Sequence, residues 1–434
     1  MVPMGLAPSI RGSASHYNRP PAVRPGSPRN SPVTPEAADD LIAYLRDLKL
    51  DAELLQELER CRPAWQRWLQ TAPRQTITPE LALGGLTLLA RGATDRLPSA
   101  DEVAADYGLV MGAPRLAALC SLLHYLLLHG RDFDLSLLPL LQPLEDGALP
   151  LACAAARLAT LSAAADLPAR AGAHNLDEAF VQDVLVRLAE LTLADPGGVF
   201  LADLPDLAYD LRLASYYAGG YSFSLQSFYG PIAVLDCPDP LGQVVLPLDG
   251  TRFDSAGYLA PPETPGPNAW TAHAQRQGSA LEANAAVSAD GLCRQQALRL
   301  ELDGVTTALQ PGDEALELHV QRGADLSPEA FGSAVQAARA HYRRHFPERR
   351  PRAVFMVSWL LDAVVRDLLP QTTRIRRFQS LFRLYPARYD AAYARDCILR
   401  SEAIRPTTSL QRSLLALERA GGRLREGGGF ILLS

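Results

Sequence analysis

Leu316-Glu317-Leu318-His319-Val320-Gln321-Arg322-Gly323-Ala324-Asp325-Leu326-Ser327-Pro328-Glu329 is the stretch whose reading decides the fold. Leu316, Leu318 and Val320 alternate with Glu317 and His319, the period of a strand with one buried face. Ser327, Pro328 and Glu329 then supply a helix cap, a proline suited to the first helical position and a carboxylate at the positive helix end. Phe331, Val335, Ala338, Tyr342 and Phe346 continue as one apolar stripe, and Pro347 stops the helix. Ala353-Val354-Phe355-Met356-Val357 is apolar throughout, as a central strand covered on both faces should be. A helix N-terminus thus opens beside a strand end, with N–H groups and a positive partial charge that suit a pyrophosphate.

Working outward, Leu298, Leu300 and Leu302 alternate with Arg299 and Glu301, and Asp303-Gly304 reads as a two-residue hairpin turn. Residues 305–309 return, Gln310-Pro311-Gly312-Asp313 turns again, and the pattern predicts a three-stranded meander ending at Val320. Further upstream, Phe223, Leu225 and residues 232–235 and 244–248 read as short strands. A Pro/Gly/Ala-rich stretch from Tyr258 to Ala280 reads as a long loop, and the insertion is placed near 258–290. From 34 to 213 the period is helical: Thr34-Pro35-Glu36 and Thr78-Pro79-Glu80 are start signals, and residues 116–128 form an apolar run too short for a bilayer. Residues 1–33, rich in Pro, Arg, Gly and Ser, read as a disordered tail. The fold class is therefore α+β, an all-helical N-terminal domain (34–213) followed by a mixed-sheet C-terminal domain (214–434).

A chain of 434 residues exceeds one compact core, and its net charge of −6 argues against nucleic acid or an anionic membrane as the main partner. Lys49 is the sole lysine, which counts against a catalytic one. The six cysteines form no C-x-x-C pair, which fits a reducing cytoplasm and no zinc site. No P-loop, dinucleotide fingerprint, H-E-x-x-H or metal cluster is present. His124 and His129, in an apolar helix, read as satisfied core residues.

Leu318-His319-Val320, the helix through His345-Phe346-Pro347-Glu348, Ser358-Trp359-Leu360-Leu361-Asp362, Leu369-Pro370, Arg376-Arg377-Phe378-Gln379, Thr408-Ser409-Leu410-Gln411-Arg412 and Gly427-Gly428-Gly429-Phe430 together resemble a known pattern. It is that of a bacterial acyltransferase family with a helical N-terminal domain and a GNAT-like C-terminal domain. The resemblance covers residues 296–434 well and the helical half in character. It departs where the family favours His-Ile-Pro, a cysteine two places before Ser-Trp and a Ser-Asn-Ile run; here stand His319-Val320-Gln321, Met356 and Thr372-Thr373-Arg374-Ile375. What it implies is transfer of an acyl group from acyl-CoA or an acyl carrier to a small-molecule amine by direct attack. Leu318, His319 and Val320 would line pantetheine, and Gly323 and Ala324 would face the phosphates; Arg412, a cation in a first helical turn that the dipole disfavours unless it meets an anion, reads as a contact to a phosphate or an acidic partner.

His319, beside Glu317, is the candidate base, and Ser358, at the end of a central strand, the candidate oxyanion or thiolate stabiliser. Tyr385, Tyr389 and Tyr393, four residues apart, read as one helical face that could supply a proton donor. Gly427–Gly429 read as the turn of a last hairpin. No permanent cofactor or metal is expected, acyl-CoA being a co-substrate. The alternative is a non-catalytic acyl-CoA-binding or protein-interaction module of the same fold.

Overall fold

In the computed structural model, the described residues are 39–43, 46, 52–71, 77–91, 96–129, 149–190, 193, 208–261, 268–388, 395, 398 and 408–433. The tail, the Thr34 start signal, Lys49, Tyr389, Tyr393 and Cys397 lie outside them. The helical half contains α1 (Ala52–Thr71), α2 (Pro79–Leu89), α3 (Ala100–Met111), α4 (Pro114–His129), α5 (Leu149–Ala165), α6 (Leu167–Ala173) and α7 (Glu178–Ala189). Thr78 caps α2 by accepting from the Leu81 amide at 3.1 Å, with Pro79 at the first position, as its sequence requires. From Ala118 to Leu128, α4 is buried at every residue, which explains an apolar run with no polar stripe. At Gly85 a Cβ would stand 1.8 Å from the Leu161 carbonyl oxygen, so α2 and α5 cross with backbone almost touching.

The C-terminal half is organised by a six-stranded sheet: β1 (Ser215–Ala218), β2 (Tyr221–Ser227), β11 (Glu314–Val320), β12 (Ala353–Ser358), β14 (Gly427–Leu432) and β13 (Arg383–Pro386), in that spatial order. β11 and β12 run parallel; the other neighbours are antiparallel. The crossover between β11 and β12 is α8 (Pro328–His345), capped by Ser327. Its predicted stripe of Phe331, Val335, Ala338, Tyr342 and Phe346 is buried against Leu316, Leu318 and Val354 on one face of the sheet. That cluster runs on without a break into the core of the helical half. On the opposite face, Ala315, Ala353, Phe355 and Phe430 pack against Phe228, Ile232, Val234 and Leu309.

Three expectations are corrected. The predicted meander does not form, because its strands join three different sheets. β9 (Cys293–Glu301) pairs with β8 (Ala280–Val287), β10 (Thr306–Leu309) with β3 (Ile232–Cys237), and β11 with β2 and β12. Gly304 does turn the chain, at a φ of 70°, but alternation cannot say which strand pairs with which. The expected loop carries strands β6 (Trp270–Thr271) and β7 (Ala274–Gln277), and β7, β8 and β9 form a sheet of their own. Gly427–Gly429 do not turn a hairpin; they lie inside β14, paired on both sides. A Cβ there would meet Leu361 O at 2.2 Å, the Tyr385 ring at 2.2 Å and Leu361 Cδ1 at 2.7 Å respectively.

Candidate active site

Parallel pairing of β11 with β12 stops early. Leu316 pairs with Val354 and Glu317 with Phe355, after which Leu318–Val320 and Met356–Ser358 run on without pairing to each other. Beyond those two pairs the facing edges of the strands carry no ladder bonds to each other, and such an open edge suits a peptide-like chain. Past Val320, the Gln321 amide donates to Gly220 O at 2.9 Å and the Ala324 amide to Gln321 O at 3.1 Å. Gly323 adopts a φ of +86°, a left-handed conformation that favours glycine, and open space surrounds its Cβ direction. Asp325 accepts from Ser327 N and Oγ, both at 3.1 Å, and so puts a negative charge at the start of α8. Exposed Arg322 in the same turn offers the opposite charge.

The polar face of β11 holds a buried carboxylate beside an imidazole. Glu317 is 9% exposed, and its Oε2 lies 3.4 Å from His319 Nε2. Tyr229 Oη donates to Glu317 Oε1 at 2.5 Å, and Gln226 Nε2 donates to Oε2. Burial opposes a charge on Glu317, but the bonds from His319, Tyr229 and Gln226 outweigh it and hold the carboxyl below the usual range. The His319 side chain is 55% exposed, so the pair runs from a buried carboxylate to an accessible imidazole. When Nε2 donates to the carboxylate, the basic lone pair is on Nδ1.

Tyr385 approaches from the other side. It belongs to β13, not to a helix, which corrects the helical-face expectation. Its Cα partner is Gly428, and the missing side chain there lets the ring lie across β14 toward β12. The hydroxyl is buried without a hydrogen-bond partner among the described residues. Burial and the nearby Glu317 charge both raise its pKa, keeping the proton on oxygen.

Ser358 lies away from this polar face. Ser358 follows Val354 and Met356 in alternation and so lies on the opposite sheet face from Glu317 and His319. Its Oγ caps the short turn Trp359–Leu361 by accepting from the Leu360 amide at 3.3 Å. Leu318 is buried and Val320 half-buried beside the open edge. Arg412 stands in the first turn of α10 (Ser409–Arg419). That helix packs on α9 (Ala363–Leu368) through Val365 and Leu414. Tyr229, Gln226 and the β13 position of Tyr385 escaped the sequence reading, although the alternation Ser222, Ser224, Gln226 marks a polar face on β2. Buried His124 also departs from expectation: neither ring nitrogen has a partner among the described residues.

Where the halves meet at the β1 edge, α7, β1 and α8 enclose a cavity of about 370 Å³ lined by Phe180, Asp183, Tyr216, His341 and Arg344 among others. Residues 253–431 match the family model of the GNAT-like C-terminal domain. Over those residues the chain is similar to that domain. The matched span begins after β1 and β2, yet both strands hydrogen-bond into the domain's sheet. No curated protein matches the sequence. Among solved structures, an acyltransferase in complex with decanoyl-CoA and teicoplanin is similar at 16% identity and a TM-score of 0.45, over 92% of this chain and 100% of that one. An acyltransferase mutant in complex with octanoyl-CoA is similar at 17% identity and a TM-score of 0.43, over 94% and 92%. Among the described residues, no single helix is long and apolar enough to cross a membrane, and no group of His, Cys, Asp or Glu could hold a metal ion.

Proposed function

We propose that this protein transfers an acyl group from a CoA or carrier thioester to the amine of a small molecule, by direct attack. The observation that carries the reading is the early end of β11–β12 pairing at Glu317 and Phe355, in a GNAT-like domain whose polar β11 face presents His319 at that level. Pantetheine would lie along the open edge beside Leu318 and Val320, with its phosphates toward Gly323, Ala324 and Arg322. The amine nitrogen attacks the thioester carbonyl carbon, forming a C–N bond, while His319 Nδ1 takes the amine proton. As the C–S bond breaks, the thiolate departs and takes a proton from solvent, and His319 later releases its own to solvent. The products are an amide and a free thiol, with no covalent enzyme intermediate and no resident cofactor. Ser358 has no place in this scheme, because its hydroxyl is a cap on the other face. The five cysteines among the described residues are free thiols, which supports a reducing, cytoplasmic setting.

Asp325 at the start of α8 favours a second reading, a module that keeps the fold without binding CoA. Thermal unfolding with CoA and acetyl-CoA separates the two, followed by thiol release over a panel of amines. Stabilisation and turnover are expected, with His319→Ala lowering turnover by about 10²- to 10⁴-fold while the far-UV spectrum is unchanged. Absence of both stabilisation and thiol release would sink the transferase.

A further inference from the structure

The segment 208–214 joins the helical half to the sheet, and its side chains reach both ways. Asp210 accepts from Arg187 on α7, Nε to Oδ2 at 2.9 Å and Nη2 to Oδ1 at 3.1 Å. Arg212 donates from Nε to Leu127 O at 3.2 Å and from Nη2 to Leu126 O, both at the end of α4. The segment is thus held by two helices of the N-terminal half. Its main chain is tied to β2 as well, the Leu225 amide donating to Ala214 O at 2.8 Å.

Between these anchors, Tyr209 Oη donates to Gln226 Oε1 at 2.9 Å. Gln226 Nε2 in turn donates to Glu317 Oε2, and Glu317 holds His319. A glutamine amide has one accepting and one donating end, and the two are close in shape. Engaging the oxygen with a hydroxyl donor directs the N–H₂ to the carboxylate. Without that donor the amide can rotate, turning oxygen toward carboxylate oxygen, and the grip of Glu317 on the imidazole weakens.

We propose that Tyr209 is a positioning residue for the His319–Glu317 pair, so that the helical half sets the tautomer of the base from outside the GNAT-like domain. The inference rests on the acyl-transfer reading for its consequence in turnover, but its geometry can be tested without turnover. In the full-length protein, ¹⁵N spectra of the His319 ring should show a single Nε2–H tautomer in the wild type and a mixture in Tyr209→Phe. That change should vanish when Gln226→Ala is already present. With acetyl-CoA and an accepted amine, Tyr209→Phe should lower kcat about three- to tenfold, the effect of one lost hydrogen bond, with KM for acetyl-CoA unchanged.

An unchanged tautomer in Tyr209→Phe, or an equal change in the Gln226→Ala background, overturns the positioning role. Wild-type protein without turnover, but with the tautomer change intact, overturns the transferase and leaves the relay standing.

Discussion

His174 and His345 face each other across the boundary between the two halves, each with Nδ1 against the other's carbonyl. His174 Nδ1 lies 3.2 Å from His345 O, and His345 Nδ1 lies 3.0 Å from His174 O. The His174 ring also stacks on Phe346, with centroids 4.5 Å apart. Since each side chain bonds to main chain, removing one ring leaves the other's acceptor in place. His174→Ala and His345→Ala should each cost about 1 kcal/mol in urea unfolding, and the double variant should match their sum. A strongly non-additive pair would show that the two bonds form as a unit.

Asp210 is 1% exposed and its partner Arg187 23%, whereas Arg299 and Glu301 are about equally open at 60% and 62%. Removing the buried carboxylate strands a partly buried guanidinium, which costs about 3–5 kcal/mol, while the open pair is worth about 0–1 kcal/mol. Asp210→Ala should therefore lower the unfolding midpoint sharply and Glu301→Ala hardly at all. Similar midpoints for the two variants would contradict the burial argument.

Glycine substitution should change sign with position. At Gly428 a Cβ would stand 2.2 Å from the Tyr385 ring inside a strand paired on both sides, so Gly428→Ala should destabilise by about 1–3 kcal/mol. At Gly332, within α8, nothing lies within 4 Å, and Gly332→Ala should stabilise by about 0.5–1 kcal/mol. Differential scanning calorimetry of the two variants reads both signs.

Acid should destabilise the helical half through His124. Burial, then His129 and Arg170, push its pKa down from 6.5 to about 4. Below about pH 6.5 the unfolded imidazole binds a proton that the folded one refuses until about pH 4. Stability therefore falls with pH across that window, by up to about 1.4 kcal/mol per pH unit. His124→Phe should flatten the dependence of the midpoint between those limits; an unaltered slope would assign the acid sensitivity to other groups.

By itself, the sequence determined what short-range chemistry decides. The Ser327-Pro328-Glu329 cap, the stripe from Phe331 to Phe346, the doubly covered strand 353–358 and the pairing of Glu317 with His319 on one strand face are all set within a few residues. Periodicity and capping act over one turn or one pleat, so they are written locally. Tertiary structure alone decided which strands pair, sending 293–301, 306–309 and 314–320 to three sheets, and placed Tyr385 across Gly428. It also joined Tyr209 to Gln226 and Gln226, 91 residues away, to Glu317. Such contacts depend on packing of whole layers, and neither alternation nor residue type records which partner lies beyond the turn.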